Sequence, residues 1–417
     1  MIMYLLWVTD MKKILTLFII LLFLTLSVGS YATTIHSNES SLNESYYKTS
    51  SSDILFDAYI QTLMRIAHKP SIAACIIQDN TIAWSNAYGY FDLEEKKQAT
   101  TDTLYLQASV SKTVTATALM QLYDQGLFDL DDDVNDYLPF ELRNPNHPDI
   151  PITIKMILSH RSSLAYDNLY WICLSYIPGD PDVEGFPYPW LENYLAPGGS
   201  AYSSSTWSTD KPGESYYYAN IGFSIIAYLV EILSGQNFNE YCKEHIFQPL
   251  QMETSGFRLL DHDIENIAVP YEFKDGGYFR HPHYGIHVLY PAITLRTSIE
   301  EFSHFIIAHM NGGVWNGIRI LKESTVEMMH TPQFSENDKY NYGLGWSITN
   351  KLLEKTYGHS GGYVGVHDLV TIDPKKNIAV LLFSNQLDSE LLATRTERKA
   401  FNAINDALFS KANRIIS

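Results

Sequence analysis

Cysteine is scarce in this 417-residue chain, which has only Cys75, Cys173 and Cys242. Three thiols allow one disulfide at most, which excludes a cystine-stapled scaffold. No Cys-x-x-Cys pair or spaced Cys/His set points to a structural metal. Cys75 lies inside the apolar run SIAACII, where a buried, inert thiol is expected rather than a nucleophile. Positive charge is also in deficit. Lys and Arg total 29 against 47 Asp and Glu, a net charge of -18, and so acidic a surface repels phosphate backbones and anionic lipid headgroups. Nucleic acid is therefore not an expected partner. No internal repeat is visible. What is present is a globular composition, 46% hydrophobic and 18% charged, enough to bury one large core or two moderate ones.

The N-terminus reads as an address. Lys12-Lys13 precede a mostly apolar run from Ile14 to Val28, followed by small residues ending Gly29-Ser30-Tyr31-Ala32. That is the layout of a secretory signal peptide, with cleavage expected after Ala32, or of an uncleaved anchor shorter than the usual membrane span of about 20 residues. Residues 1–32 are assigned to this segment, which implies a secreted, periplasmic or cell-surface protein. The ten residues before Met11 suit an upstream start codon better than a signal peptide. Residues 33–52 are Ser/Asn-rich and read as a flexible linker. They contain the sequons Asn38-Glu39-Ser40 and Asn43-Glu44-Ser45.

Residues 53–417 read as one α+β domain. Ile54 to Ala67 has helical periodicity, and SIAACIIQ and TIAWSNAYGY form a β-hairpin joined at Asp79-Asn80. The C-terminal end mirrors this: YGLGWSITN, TYGHSGG, VHDLVTIDP and NIAVLLFSN read as strands, and Leu391 to Phe409 as a final amphipathic helix. The two β-rich ends, 53–107 and 339–417, are expected to pair into one antiparallel sheet with the terminal helices on one face. Between them, 108–338 reads as an inserted, mostly helical part, with helices over 109–127, 152–160, 221–233, 238–246, 299–310 and 322–329. The aperiodic stretch 166–215, with Tyr170, Trp171, Trp190, Tyr202 and Trp207, suits either a pocket wall or a packed insertion.

Three Ser-x-x-Lys patterns occur, at Ser45/Lys48, Ser109/Lys112 and Ser208/Lys211. Positions i and i+3 face each other only on a helix. Ser45 is in the linker and Lys211 precedes Pro212-Gly213; only Ser109 opens a convincing helix, stopping at Gly126. A helix N-terminus suits a nucleophile there, since its N–H groups and dipole stabilise an oxyanion, and a desolvated Lys112 is placed to take the Ser109 proton. On the tetrapeptide alone, a helix cap with a solvent-facing lysine is the simpler reading. Tyr218-Ala219-Asn220 offers a hydroxyl for proton transfer and an amide for a substrate carbonyl. Tyr166-Asp167-Asn168 has the same form, and spacing does not separate the two. Gly358-His359-Ser360-Gly361-Gly362 lets backbone approach a ligand, with the Gly362 N–H as a second oxyanion donor, or is simply a tight glycine turn.

In that order, SVSK (109–112), YAN (218–220) and HSG (359–361) resemble the three motifs of the serine beta-lactamase-like hydrolases, the group of class C beta-lactamases and penicillin-binding DD-peptidases. The surrounding blocks agree, from DTLYLQASVSKTVTATALMQLYDQGLFDLDDDV through ILSHRSSL and PLQMETSGF to YGLGW and GHSGGYVGVHDLVTIDP, covering about residues 53–409. The resemblance selects Ser109 and Tyr218 over their rivals. It implies a beta-lactamase/transpeptidase-like fold and an acyl-enzyme formed on Ser109, with Lys112 and Tyr218 as shared base and acid. Asn220 would hold the substrate amide, the N–H groups of Ser109 and Gly362 would form the oxyanion hole, and His359, Ser360 and Gly361 would contact substrate. No cofactor or metal is implied, and the partner is a small-molecule or peptide substrate carrying an amide, ester or beta-lactam bond.

Departures from the family pattern bear on the substrate. His359 stands where class C enzymes carry lysine, which resembles certain DD-peptidases and D-amino-acid peptidases. Ser163 and Gln251 replace usual glycines, and Ile293-Thr294 fill positions that are often glycine-rich. Arg280 to His287 gathers three histidines in a spacing that fits no standard zinc ligand set. Asp129, Asp131 and Asp133 alternate as in a calcium loop but lack its Gly and Glu, so a capping loop is expected. His160 and His367 read as structural. The alternative to a hydrolase is a non-hydrolytic penicillin-binding sensor or a self-assembling relative of the same fold; the intact Ser109, Lys112, Tyr218 and Asn220 argue against it.

Overall fold

The computed structural model describes residues 51–165, 177–178, 188–286, 288–334, 341–351, 354–387 and 395–415. The signal segment, the linker with its Ser45/Lys48 pair, Cys173, Tyr166-Asp167-Asn168, Tyr170, Trp171 and His287 lie outside these. The described residues from Ser52 onward belong to one compact unit.

Its frame starts with helix α1 (Ser51–Ile66), strand β1 (Ser71–Gln78), strand β2 (Thr81–Asp92) and the short β3 (Lys97–Gln98). Helices α2 (Ser111–Asp124), α3 (Asn220–Ser234) and α4 (Ile299–Met310) follow, then strands β4 (Asn341–Tyr342), β5 (Ser347–Lys351), β6 (Glu354–Tyr363), β7 (Val366–Asp373) and β8 (Ile378–Ser384), and helix α5 (Arg395–Ile415). The eight strands make one antiparallel sheet in the order β4-β5-β6-β7-β8-β1-β2-β3. The β1–β8 ladder, with Ala73 opposite Phe383 and Cys75 opposite Leu381, joins the two β-rich ends of the chain as their periodicity predicts.

β1 has an unbroken apolar sequence because both of its faces are covered. Ile72, Ala74 and Ile76 pack with Phe56, Ile60, Leu63 and Met64 of α1 and with Phe401, Ile404 and Leu408 of α5. Ala73, Cys75 and Ile77 belong to the larger core on the opposite face, with Phe302, Phe305 and Ile306 of α4 and the apolar residues of α2 and α3. The hairpin turn falls at Asp79-Asn80 as expected, both residues taking the left-handed conformation (φ 48° and 61°) that Asp and Asn tolerate. The 299–310 helix has the expected bounds, capped by Ser298, whose hydroxyl accepts from the Glu301 N–H.

Several expectations change. The helix expected over 109–127 becomes a 3-10 turn, Ala108–Val110, followed by α2 from Ser111. The reason lies upstream: Tyr105–Leu106 pairs with Arg296–Thr297, Gln107 N–H is held by Leu295 O, and Ala108 turns through φ 43° before the helix can start. The 238–246 helix is α-helical only over Phe238–Cys242 and widens to a π turn over Lys243–Phe247. An unforeseen hairpin, Tyr271–Lys274 with Gly277–Arg280, occupies a segment to which no element is assigned from sequence.

Candidate active site

Ser109 is the middle residue of the 3-10 turn, half-buried at the entrance to α2, and Lys112 is wholly buried one turn on. The tight turn brings their side chains together. Lys112 Nζ lies 3.0 Å from Ser109 Oγ and 3.0 Å from the carbonyl oxygen of Ala292, to which it donates. That carbonyl belongs to the short helix Tyr290–Ile293, in the segment where the family is often glycine-rich; its backbone role carries no signal in the side-chain sequence. The helix is tied to α2 by Thr115 Oγ1 donating to Pro291 O.

Tyr218 lies just before α3 and reaches Lys112 across the site: Lys112 Nζ sits 4.9 Å from the centre of its ring and 5.7 Å from that of Phe223. Asn220 is the first residue of α3, and its Oδ1 is buried without a hydrogen-bond partner among the described residues. A buried unpaired amide oxygen is costly in a closed protein, so this atom is a candidate acceptor for a substrate N–H.

The HSGG segment runs along β6. Gly361 faces inward, and a Cβ there would sit 2.3 Å from Gln107 O, so β6 presses directly on the turn that carries Ser109. Ser360 and Gly362 are exposed on the other side of the strand. His359 is buried, and both of its ring nitrogens are taken. Nδ1 lies 2.7 Å from Ser360 O and Nε2 lies 2.7 Å from Tyr342 Oη. The Tyr342 hydroxyl, on β4 two strands away in the sheet order, occupies the Nε2 valence that a direct contact with a substrate carboxylate or with the Tyr218 hydroxyl would use.

His160, read from sequence as structural, sits inside the cluster. Its ring lies 4.3 Å from that of Tyr218 and 4.7 Å from that of Tyr342. Burial, with Lys112 and His359 adding to it, holds His160 well below the usual imidazole range. Burial and then Lys112 push His359 down to about 3, and burial raises Tyr342 far above the usual phenol range. Around Lys112, then, the rings stay neutral.

The other expected features are placed elsewhere. Ser208 and Lys211 lie in loop, with Ser208 Oγ accepting from Asp210 N–H. Trp190 stacks on Tyr194 and packs, like Tyr202, against the core, while Trp207 is buried within it. Asp133 caps the 3-10 turn Val134–Asp136 and pairs with Arg143, so the acidic loop acts as a cap. His281 lies 3.6 Å from Glu272, across the 271–280 hairpin. Ser163 and Gln251, where glycine is usual, both keep positive φ, 64° and 53°.

An antiparallel sheet with helices on both faces, and a Ser-Lys-Tyr cluster at the junction with the helical part, is the beta-lactamase/transpeptidase fold. The beta-lactamase family model matches residues 56–403, and the chain belongs to that family. It is similar to protein flp of Staphylococcus aureus strain MW2, 24% identical over 373 residues, 88% of this chain and 70% of that protein. It is similar to the putative D-alanyl-D-alanine carboxypeptidase of Escherichia coli K12, 24% identical over 365 residues, 76% of this chain and 78% of that one. The D-amino acid amidase of Ochrobactrum anthropi SV3, solved with L-phenylalanine amide, superposes with a TM-score of 0.67 at 19% identity, covering 87% of this chain and all (100%) of that one.

Proposed function

We propose that the protein is an exported serine hydrolase that forms an acyl-enzyme on Ser109 and cleaves amide or ester bonds. The observation that carries this reading is the 3.0 Å approach of Lys112 Nζ to Ser109 Oγ, with the Tyr218 ring 4.9 Å from the same Nζ. Membership in a family of serine hydrolases supports it, as do the amidase and carboxypeptidase activities in the names of similar proteins.

The step is written with Lys112 in its neutral form. It accepts the Ser109 hydroxyl proton as Oγ bonds to the substrate carbonyl carbon, and the C=O electron pair moves onto oxygen. The N–H groups of Ser109 and Gly362 hold that oxyanion, helped by the N-terminal end of α2. The tetrahedral species collapses by breaking the bond to the leaving nitrogen or oxygen, which takes the proton relayed through Lys112 and Tyr218. Water, activated by the same pair, then hydrolyses the ester on Ser109. Asn220 Oδ1 accepts from the substrate amide and Ser360 contacts the substrate along β6.

Labelling wild type and Ser109→Ala with a fluorescent penicillin and a fluorophosphonate tests the reading. An adduct mapped to Ser109 and absent from the variant is expected; no adduct with either probe would sink it. Export is tested by sequencing the N-terminus of protein recovered outside the cytoplasm, where a start at Thr33 is expected and an intact Met1 or Met11 in the cytoplasm would overturn it.

A further inference from the structure

The proton positions on His359 follow from its partners. A carbonyl oxygen only accepts, so Nδ1 carries the proton that goes to Ser360 O at 2.7 Å. In the neutral ring Nε2 is then bare and accepts from the Tyr342 hydroxyl at 2.7 Å. His359 has no proton left to offer and no charge. Two residues on along β6, on the same face of the strand, Gly361 is pressed against Gln107 at the turn that carries Ser109, so this ring lies on the face of β6 turned toward that turn.

The charged and titratable groups around it do not replace the missing charge. Lys112 is spent on Ser109 Oγ and Ala292 O. Arg161, the other cation that touches the ring cluster among the described residues, donates to Glu214 O and sits over Tyr216 and Phe334. Tyr218, Tyr342 and His160 complete the surroundings, and His160 accepts the Ala219 N–H on Nδ1. The depressed basicity of His359, caused first by burial and then by Lys112, agrees with a ring held neutral. The next residue, Ser360, exposes a neutral hydroxyl. The net charge of -18 adds a long-range field against anions.

We propose that Tyr342 locks His359 as an uncharged tautomer, and that the resulting subsite along β6 selects acyl donors without a free carboxylate close to the scissile bond. Uncharged amides and esters are the favoured substrates, and peptides ending in a carboxylate at the cleaved residue are disfavoured. The proposal rests on the acyl-enzyme reading above. A carboxylate brought here loses water and gains no counter-charge, whereas a carboxamide can pair with the Ser360 hydroxyl. Tyr342 acts through His359 and is a positioning residue.

The test compares two N-acylglycine thioesters that differ only in the leaving group, mercaptoacetate or mercaptoacetamide, each kcat/KM divided by its hydroxide-catalysed rate. A preference for the carboxamide of about tenfold or more is expected in wild type, the order of a missing charge contact. His359→Lys is expected to move the ratio at least about tenfold toward the carboxylate. Tyr342→Phe removes the donor that holds Nε2 bare while burial and Lys112 still disfavour the cation, so it is expected to move the ratio toward the carboxylate only at the acid end of a series from pH about 8 to about 5.5, and by less than His359→Lys does. If Ser109-dependent turnover is present and the wild-type preference is below about tenfold, or both variants keep the wild-type ratio at every pH, the inference fails alone. If turnover of both thioesters survives in Ser109→Ala, the acyl-enzyme reading fails and takes the inference with it.

Discussion

His160 holds Tyr218 from both sides along the chain and from above. Its carbonyl accepts the N–H of Tyr217 at 2.9 Å, its Nδ1 accepts the N–H of Ala219 at 3.1 Å, and its ring packs on that of Tyr218. His160 itself takes a left-handed backbone, φ 59°. Replacing it with alanine removes one of the two brackets and the packing surface together. His160→Ala is expected to lower kcat on an uncharged thioester about 10- to 100-fold while leaving KM little changed, the scale of a misplaced catalytic group. Steady-state kinetics with a melting curve on the same sample checks this; a kcat within about twofold of wild type would show that the bracket does not position Tyr218.

Lys112 separates activity from stability. The buried ammonium contacts Ser109 Oγ, Ala292 O and the Tyr218 ring. Lys112→Met keeps the volume and deletes the charge, so acylation of Ser109 is expected to fall at least about 1,000-fold, within the range of a lost proton-transfer group. Removing a buried charge and replacing it with an apolar chain is expected to leave thermal stability unchanged or raised. Parallel loss of folding and labelling would contradict this.

The two non-glycine residues at glycine positions should respond oppositely. Gln251 holds φ 53° with an exposed side chain, whereas the Ser163 hydroxyl, at φ 64°, accepts from Asn144 Nδ2 at 2.9 Å in a buried site. The left-handed conformation costs a non-glycine residue about 1–2 kcal/mol, partly offset because glycine loosens the unfolded chain. Gln251→Gly is expected to stabilise by roughly 0.5–1 kcal/mol in urea denaturation. Ser163→Gly loses a buried hydrogen bond worth about 1 kcal/mol and is expected to be neutral or destabilising. Equal gains from both would remove the hydroxyl from the account.

Acid should weaken the fold earlier than carboxylates alone would cause. Burial depresses His309 and His359 to about 3 and lowers His160 and His330 strongly. An unfolded histidine titrates near pH 6.5, so below that value the unfolded chain takes up protons that the folded chain refuses. The stabilisation is complete above pH ~6.5 and is lost as pH falls toward ~3, by up to about 1.4 kcal/mol per pH unit for each imidazole. Asp368 and Glu231, raised by burial, work in the opposite direction, but as two carboxyls against these four imidazoles and against His262, His283 and His367, which burial also lowers. Calorimetry is expected to show a Tm that is flat between pH ~7 and ~8 and falls from ~6.5 downward; a flat Tm to pH ~5 would contradict it.

Local chemistry made much of this legible. The β1–β2 hairpin is announced by two apolar runs around Asp79-Asn80, and α4 by Ser298 before a periodic run. Ser109 and Lys112 could be read because a pair three residues apart meets within one turn. What escaped depends on distant partners. The start of α2 at Ser111 is set by pairing with residues 296–297, and the lysine's second acceptor is a backbone carbonyl at Ala292. The partner of His359 Nε2, Tyr342, lies two strands away in the sheet order, so no local pattern announces it. His160 looked structural because nothing adjacent in sequence shows that Tyr217 and Ala219 hang from it.

The β1–β8 ladder has a consequence for biogenesis. Asp79 bonds to Asn377, 298 residues further on, so the central strand of the sheet has no lasting neighbour on that side until β8 has been synthesised. Closing so long a loop is slow. During synthesis the first hairpin must wait, with one edge unpaired, until the last strand has left the ribosome.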